Sequence, residues 1–153
     1  MFNVVLYEPE IPQNTGNIAR LCAATGSSLH LVEPLGFFLD DKHLRRAGLD
    51  YWPMVSLRRY LDFQALVAAH PGARWFFFTT KGQRPYHEVA YQPGDFLVFG
   101  PETRGLPPEI LALDPERNLR IPMIPGARSL NLANSVAIVL YEALRQAGFP
   151  GLL

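Results

Sequence analysis

Cysteine is nearly absent from this chain. Cys22 is the only one in 153 residues, which excludes an intramolecular disulfide and any zinc site built on several cysteines. Net charge is absent as well: 14 Lys and Arg balance 14 Asp and Glu, so total charge gives no argument for nucleic acid. No window approaches the roughly 18 consecutive apolar residues of a membrane span. The opening MFNVVLYEPE has no basic segment, and its apolar run is too short for a signal peptide. A cytosolic location is therefore the default expectation. Several chemical signatures are also missing. Without a GxGxxG fingerprint or a Walker A loop, the usual dinucleotide oxidoreductases and NTPases are disfavoured. Without a GxSxG elbow there is no support for a serine hydrolase. His30, His43, His70 and His87 offer no pair at helix-face metal spacing, so they read as surface or packed histidines and no metal is expected. Cys22 falls on an apolar helix face and reads as core.

What is present is a globular, 48% hydrophobic composition of a length that fits one domain, residues 1–153. Phe2–Tyr7 reads as a buried strand. Asn14 is a suitable N-cap for a helix running to about Thr25, with Gly26 as its stop. Ile18, Leu21, Cys22 and Thr25 share one face of it; Asn17 and Arg20 lie on the other. Ser28–Val32 is a second strand. DDKHLRRAG is a short helix with acids first and bases last, as the helix dipole prefers. A short strand is expected near Met54, then a helix over roughly Leu57–Ala69. RWFFFTT (74–80) and DFLVFG (95–100) are inner strands, PPEILAL starts a helix on its prolines, and RNLRIPM (117–123) holds a last strand. A long helix spans Leu132–Ala147, stopped by Gly148. Strands alternate with helices and the inner strands are continuously apolar, which predicts an α/β domain with a mainly parallel sheet covered on both faces. The last helix is apolar all round at Val136–Tyr141. One domain of this size seldom surrounds a helix completely, so a homodimer through it is predicted.

Two local basic clusters, KHLRRAG (42–48) and SLRRY (56–60), are either solvated helix faces or an RNA-facing patch. Ligands of open α/β sheets bind beyond the carboxyl ends of strands, and three such ends carry unusual loops: TTKGQRP, FGPETRGLP and IPMIPGARSLN. Glycines in two of them allow close backbone approach. Together the loops could line a cleft for a planar, polar ligand such as an adenine nucleoside. Asn14, Asn17, Arg20, Glu102, Arg104, Ser129 and Asn131 remain as candidate functional side chains. Singly, each has an ordinary reading as a cap, a surface arginine or a loop brace; as a set they gather at helix and loop mouths near strand ends.

PEIPQNTGNIARLCAATG, LVFGPETRGLP and IPMIPGARSLNLANSVAIVLYEALRQ resemble, in order and separation, the three motifs of the SPOUT-type RNA 2′-O-ribose methyltransferases. TTKG and DDKHLRRAGLDY point to the small bacterial members that lack an added RNA-binding domain and modify cytidine or uridine 34 of tRNA. The resemblance implies a carboxyl-terminal deep trefoil knot, a homodimer with sites completed by both subunits, and S-adenosylmethionine bound in the knot loops. It implies Phe78, Gly100, Glu102, Ile121, Ser129 and Leu130 as cofactor-binding residues and Arg20, Asn14, Ser129 and Asn131 as the catalytic set. The implied substrate is the tRNA anticodon loop, of leucine isoacceptors. Lys42, Arg45, Arg46 and Lys81 are candidates for phosphate contacts. Two other readings stay open at this point: the same chemistry at another tRNA or rRNA site, and a non-catalytic RNA-binding relative.

Overall fold

In the computed structural model, which describes residues 1–48 and 53–153, seven strands form one sheet in the order β3-β2-β1-β6-β4-β7-β5. The strands are β1 (Asn3–Tyr7), β2 (Ser28–Val32), β3 (Ser56–Tyr60), β4 (Trp75–Phe78), β5 (Arg84–Pro85), β6 (Phe96–Phe99) and β7 (Asn118–Arg120). Every pairing between them is parallel. Five helices connect them: α1 (Pro12–Thr25), α2 (Lys42–Gly48), α3 (Phe63–Ala69), α4 (Pro108–Leu111) and α5 (Leu132–Ala147). Among the described residues no helix is long and apolar enough to cross a membrane.

Alternation along the inner strands divides the core in two. Val4, Leu6, Leu29, Leu31, Phe76, Phe78, Leu97 and Phe99 point to one face and pack with Ile18 and Cys22 of α1 and with Val136, Val139 and Leu140 of α5. Val5, Phe77, Phe96 and Val98 point to the other and meet Phe63 and Leu66 of α3 and Ile110 of α4. Strands buried on both faces must be apolar at every position, which is why WFFF and FLVF tolerate no polar residue. α2 packs across α1 rather than on the sheet. A Cβ at Gly16 would lie 2.5 Å from the Leu44 carbonyl oxygen, so glycine sets this close crossing.

The chain reverses direction across the sheet between β1 and β6. β7 is inserted between β4 and the earlier strand β5. The loop from β4 to β5 wraps against β7 so closely that a Cβ at Gly82 would stand 2.5 Å from the Leu119 carbonyl carbon. Arg120 clamps the crossing by donating to the Gly82 and Gln83 carbonyls at 3.2 and 2.6 Å.

Three local expectations are corrected. Ser56–Tyr60 is a strand rather than the start of a helix: Leu57 packs on the α1 side and Tyr60 on the α3 side, and the β2 ladder satisfies the backbone. The helix begins only at Phe63, where the Asp62 carboxylate accepts from the Ala65 amide at 2.8 Å. The strand expected near Met54 starts at Ser56, after a 3-10 turn at Pro53–Met54. The end of DDKHLRRAGLDY lies outside the described residues. Finally, Asn14 does not cap α1. The helix starts at Pro12 and its N-cap, Ile11, has no side chain able to accept a hydrogen bond.

Candidate active site

That missing cap is supplied from a distant loop. One oxygen of Glu102 accepts from the Glu10 amide and the other from the Ile11 amide, both at 2.8 Å. A carboxylate at a helix N-terminus meets orphan N–H groups and the positive end of the dipole. The second oxygen also accepts from the Asn14 side-chain amide at 3.2 Å. Asn14, buried in the first turn of α1, accepts in turn from the Asn131 side-chain amide at 3.1 Å. Asn131 is the N-cap of α5 and accepts from the Asn134 backbone amide at 3.1 Å. The network permits one orientation only. Asn131 must turn its oxygen to a backbone N–H, so its NH2 faces Asn14, whose NH2 then faces the carboxylate. This single chain of bonds ties together α1, the loop after β6 and α5.

A second tie runs alongside. Glu10 accepts from the Thr103 amide at 2.9 Å and its hydroxyl at 2.8 Å, and the Thr103 amide holds the Glu10 carboxyl below the usual carboxylate range. Arg104 reaches Glu8 at 3.2 Å and Glu10 at 3.6 Å.

Behind these ties, the loops after β4, β6 and β7 enclose a cavity of about 570 Å3, within the range of small-molecule and cofactor sites. Phe78 on its wall stacks on Phe99, with centroids 4.7 Å apart and rings 13° from parallel. Leu106, Leu119 and Ile121 extend the apolar surface. A Cβ at Gly100 would collide with the backbone of Gly105 and Leu106, so only glycine lets this loop fold back and present its amides. The donor set suits an adenine nucleoside: a flat apolar slot, a stacked aromatic wall and turned-in backbone.

Phe78, Gly100, Glu102, Ile121, Ser129, Leu130, Asn14, Asn131 and Lys81 all line this cavity. Arg20 does not; it is exposed on α1. Its neighbours Asn17 and Leu21 line a shallower recess between α1 and α5, and Asn14 and Asn131 form the ridge between the two spaces. Lys42, Arg45 and Arg46 lie on α2, away from the cavity wall. Arg45 is partly committed, since its Nε donates to the Leu39 carbonyl at 3.1 Å. Sequence reasoning missed the bracing roles of Glu8, Glu10 and Thr103. The signal for the two acids was their density in EPE, directly after the first strand; Thr103 had none. Among the described residues no cluster of three or more His, Cys, Asp or Glu side chains is placed to hold a metal.

Known proteins share this fold and much of this sequence. The SpoU rRNA Methylase family matches residues 1–141. A tRNA (cytidine(34)-2'-O)-methyltransferase of Escherichia coli (strain K12) is 58% identical over 152 residues, covering 99% of this chain and 97% of the relative. A solved structure described as giving insights into 2-OH methylation of C/U34 on tRNA superimposes with a TM-score of 0.93 at 53% identity, covering 97% of each chain. An AdoMet-bound rRNA methyltransferase from Sinorhizobium meliloti superimposes with a TM-score of 0.84 at 28% identity, covering 94% of this chain and 56% of that one.

Proposed function

This chain belongs to the SpoU rRNA methylase family, with its knotted SPOUT fold, and from that premise we propose that it transfers a methyl group from S-adenosylmethionine to the ribose 2′-oxygen of nucleotide 34 in tRNA. The observation that carries the reading is the hydrogen-bonded chain Glu102–Asn14–Asn131, which fixes polar side chains at the mouth of an adenosine-sized cavity. The relatives at 58% and 53% identity over nearly the whole chain supply the substrate class, and an AdoMet-bound relative supplies the cofactor class.

Phe78, Gly100, Ile121, Ser129 and Leu130 hold the cofactor, largely through backbone groups. When bound, it supplies an already activated methyl on a sulfonium. The protein's task is alignment of the sugar oxygen, which contributes up to ~7–11 kcal/mol in favourable cases. Ser129 and Asn131 orient the ribose. Asn14 and Glu102 act through Asn131 as positioning residues. Arg20 brings a planar guanidinium whose fork of donors suits phosphate. It binds the adjacent phosphate and stabilises negative charge developing on the 2′-oxygen.

Arg20 stands apart from the cavity of its own chain, beside the recess between α1 and α5. Ile138 and Tyr141, one turn apart on α5, are 36% and 45% exposed while Val136, Val139 and Leu140 are buried. A second copy docked on this face completes the site. α5 is thus covered on one side by its own core and on the other by the partner.

The test is methylation of leucine tRNAs by the purified protein, with 2′-O-methyl groups mapped by mass spectrometry. Methyl transfer at position 34 is expected. Transfer to rRNA or another tRNA position, or no binding of S-adenosylmethionine by calorimetry, overturns the reading. Arg20→Lys is expected to lose most turnover; full turnover with unchanged RNA affinity removes both guanidinium roles.

A further inference from the structure

Phe38 is 81% exposed, and the cavity and its ties do not account for it. It sits in the loop between β2 and α2, at the carboxyl edge of the sheet, the edge on which the cavity opens. The loop is anchored on both sides. Leu35 and Leu39 pack against the core. The Gly36 amide donates to the Pro9 carbonyl at 2.9 Å, and a Cβ at Gly36 would come within 2.9 Å of the Glu10 Cα. Glu10 is in turn fixed by Thr103 and, through its amide, by Glu102. Arg45 of α2 braces the far side through the Leu39 carbonyl. A firmly held loop thus presents a large aromatic ring to solvent, where an apolar side chain gains nothing in the isolated chain.

Its surroundings identify the partner. Lys42 and Arg46 are exposed on the helix that follows, as is Asp40 just before it, while the Asp41 carboxylate is drawn to the His43 amide at 2.8 Å. An exposed π-face followed along the chain by exposed cations is a combination that binds single-stranded nucleic acid: bases stack and phosphates pair. Among the described residues the other strongly exposed apolar side chains, Met54, Leu61, Leu113, Ile124 and Leu153, are not aromatic, and Tyr141 and Phe149 pair with each other at the end of α5. The loop does not line the cavity, but it rests on Glu10, which is bonded to Glu102 and Thr103 of the cavity wall. Phe38 is thus outside the slot for the reacting nucleotide and on the loop that adjoins its wall.

We propose that Phe38 is a stacking platform for an unpaired RNA base flanking the methylated nucleotide, with Lys42 and Arg46 on the adjoining phosphates. The assignment rests on the tRNA-methylation reading above.

The experiment compares the native protein with Phe38→Ala and Phe38→Tyr, using an anticodon stem-loop RNA and, separately, S-adenosylmethionine. Phe38→Ala is expected to weaken RNA affinity by ~5- to 100-fold, the effect of losing one stacked base, with cofactor affinity and the salt slope unchanged. Phe38→Tyr retains the stack and stays within about twofold of native, whereas Lys42→Ala lowers the salt slope by about one. Three results overturn the proposal: Phe38→Ala binding RNA as the native protein does, Phe38→Tyr failing as badly as Ala, or Phe38→Ala changing the oligomeric state instead. Methylation by the native protein is read in the same series. If it is absent, the tRNA reading itself fails; if it is present and Phe38→Ala binds normally, only the Phe38 assignment falls.

Discussion

The two ends of the sheet are held in different ways. Around β1, β6 and β7, loops are joined by charged and amide side chains across long stretches of sequence: Glu102 to Glu10 over 92 residues and Asn131 to Asn14 over 117. Around β2, β3 and α3 the polar ties span fewer residues. Tyr60 bridges the His30 and His70 rings at 3.1 Å each, and His30 also meets the Asn3 side chain at 2.9 Å. Phe96 packs against both imidazoles. The first end must hold loops at fixed positions around a ligand, and directional bonds to charge do this. The second only has to close an edge, and aromatic packing suffices.

The largest expected effect tests whether the cavity end tolerates any added volume. Gly82→Ala drives a Cβ against the Leu119 and Arg120 backbone, which has no side-chain freedom with which to yield. A loss of ~3 kcal/mol or more is expected. Gly72, between α3 and β4, has φ of 78° and open space around it, so Gly72→Ala costs only ~1 kcal/mol for the left-handed backbone. Urea unfolding of the two variants reads the difference directly. Equal losses would mean that the crossing over β7 is no tighter than an ordinary turn.

Acid separates the ends next. Burial pushes His30 down to about 4, assisted by the charges of His70 and Arg58, and His70 is lowered too, again by burial first. A free imidazole titrates near ~6.5. With the folded pKa depressed, the neutral ring carries the stability. That stability is complete above ~6.5 and is lost as pH falls toward 4, by up to ~3 kcal/mol. Glu10 runs in a lower window: its depressed carboxyl contributes above its ordinary value of 4.5 and loses that contribution only below it. Hydrogen exchange between pH 6.5 and 4.5 should show β3 and α3 losing protection while the first turn of α1 keeps it. Simultaneous loss at both ends would erase the distinction.

A smaller effect comes from neutralising the central carboxylate. In Glu102→Gln one oxygen remains, and the new NH2 faces a backbone N–H or the Asn14 amide. A loss of ~1.5–3 kcal/mol is expected, with weaker positioning of Asn131. Turnover should fall further than cofactor affinity. The opposite ranking would place Glu102 in cofactor binding rather than bracing.

These contrasts also explain what could be read from the sequence. α5 was legible to the residue, because Asn131 caps it and Gly148, with φ of 82°, ends it; both signals are local. The inner strands were legible because burial on two faces leaves an apolar run. β3 was not. At an edge, Arg58 and Arg59 face solvent and the run resembles a helix start. The polar members of the site stood out in the motifs, but their wiring did not. Asn14 looks like a cap until a carboxylate 88 residues away takes that role. Phe38 carries no sequence signal at all, since only the anchored loop shows that it faces outward.

The smallest effect belongs to the other end. Arg59 pairs with Glu33 at 3.3 Å, but both side chains are at least one-third exposed. Solvent screens such a pair, and holding two long side chains together costs entropy, so Arg59→Ala should change stability by less than ~0.5 kcal/mol. The contrast with Glu102 is then one of setting rather than of charge. Both are ionised groups at the carboxyl half of the sheet. Only Glu102 meets backbone amides that have no other partner at a helix start. If Arg59→Ala costs as much as Glu102→Gln, charge itself stabilises both ends, and the division between directional wiring and edge packing fails.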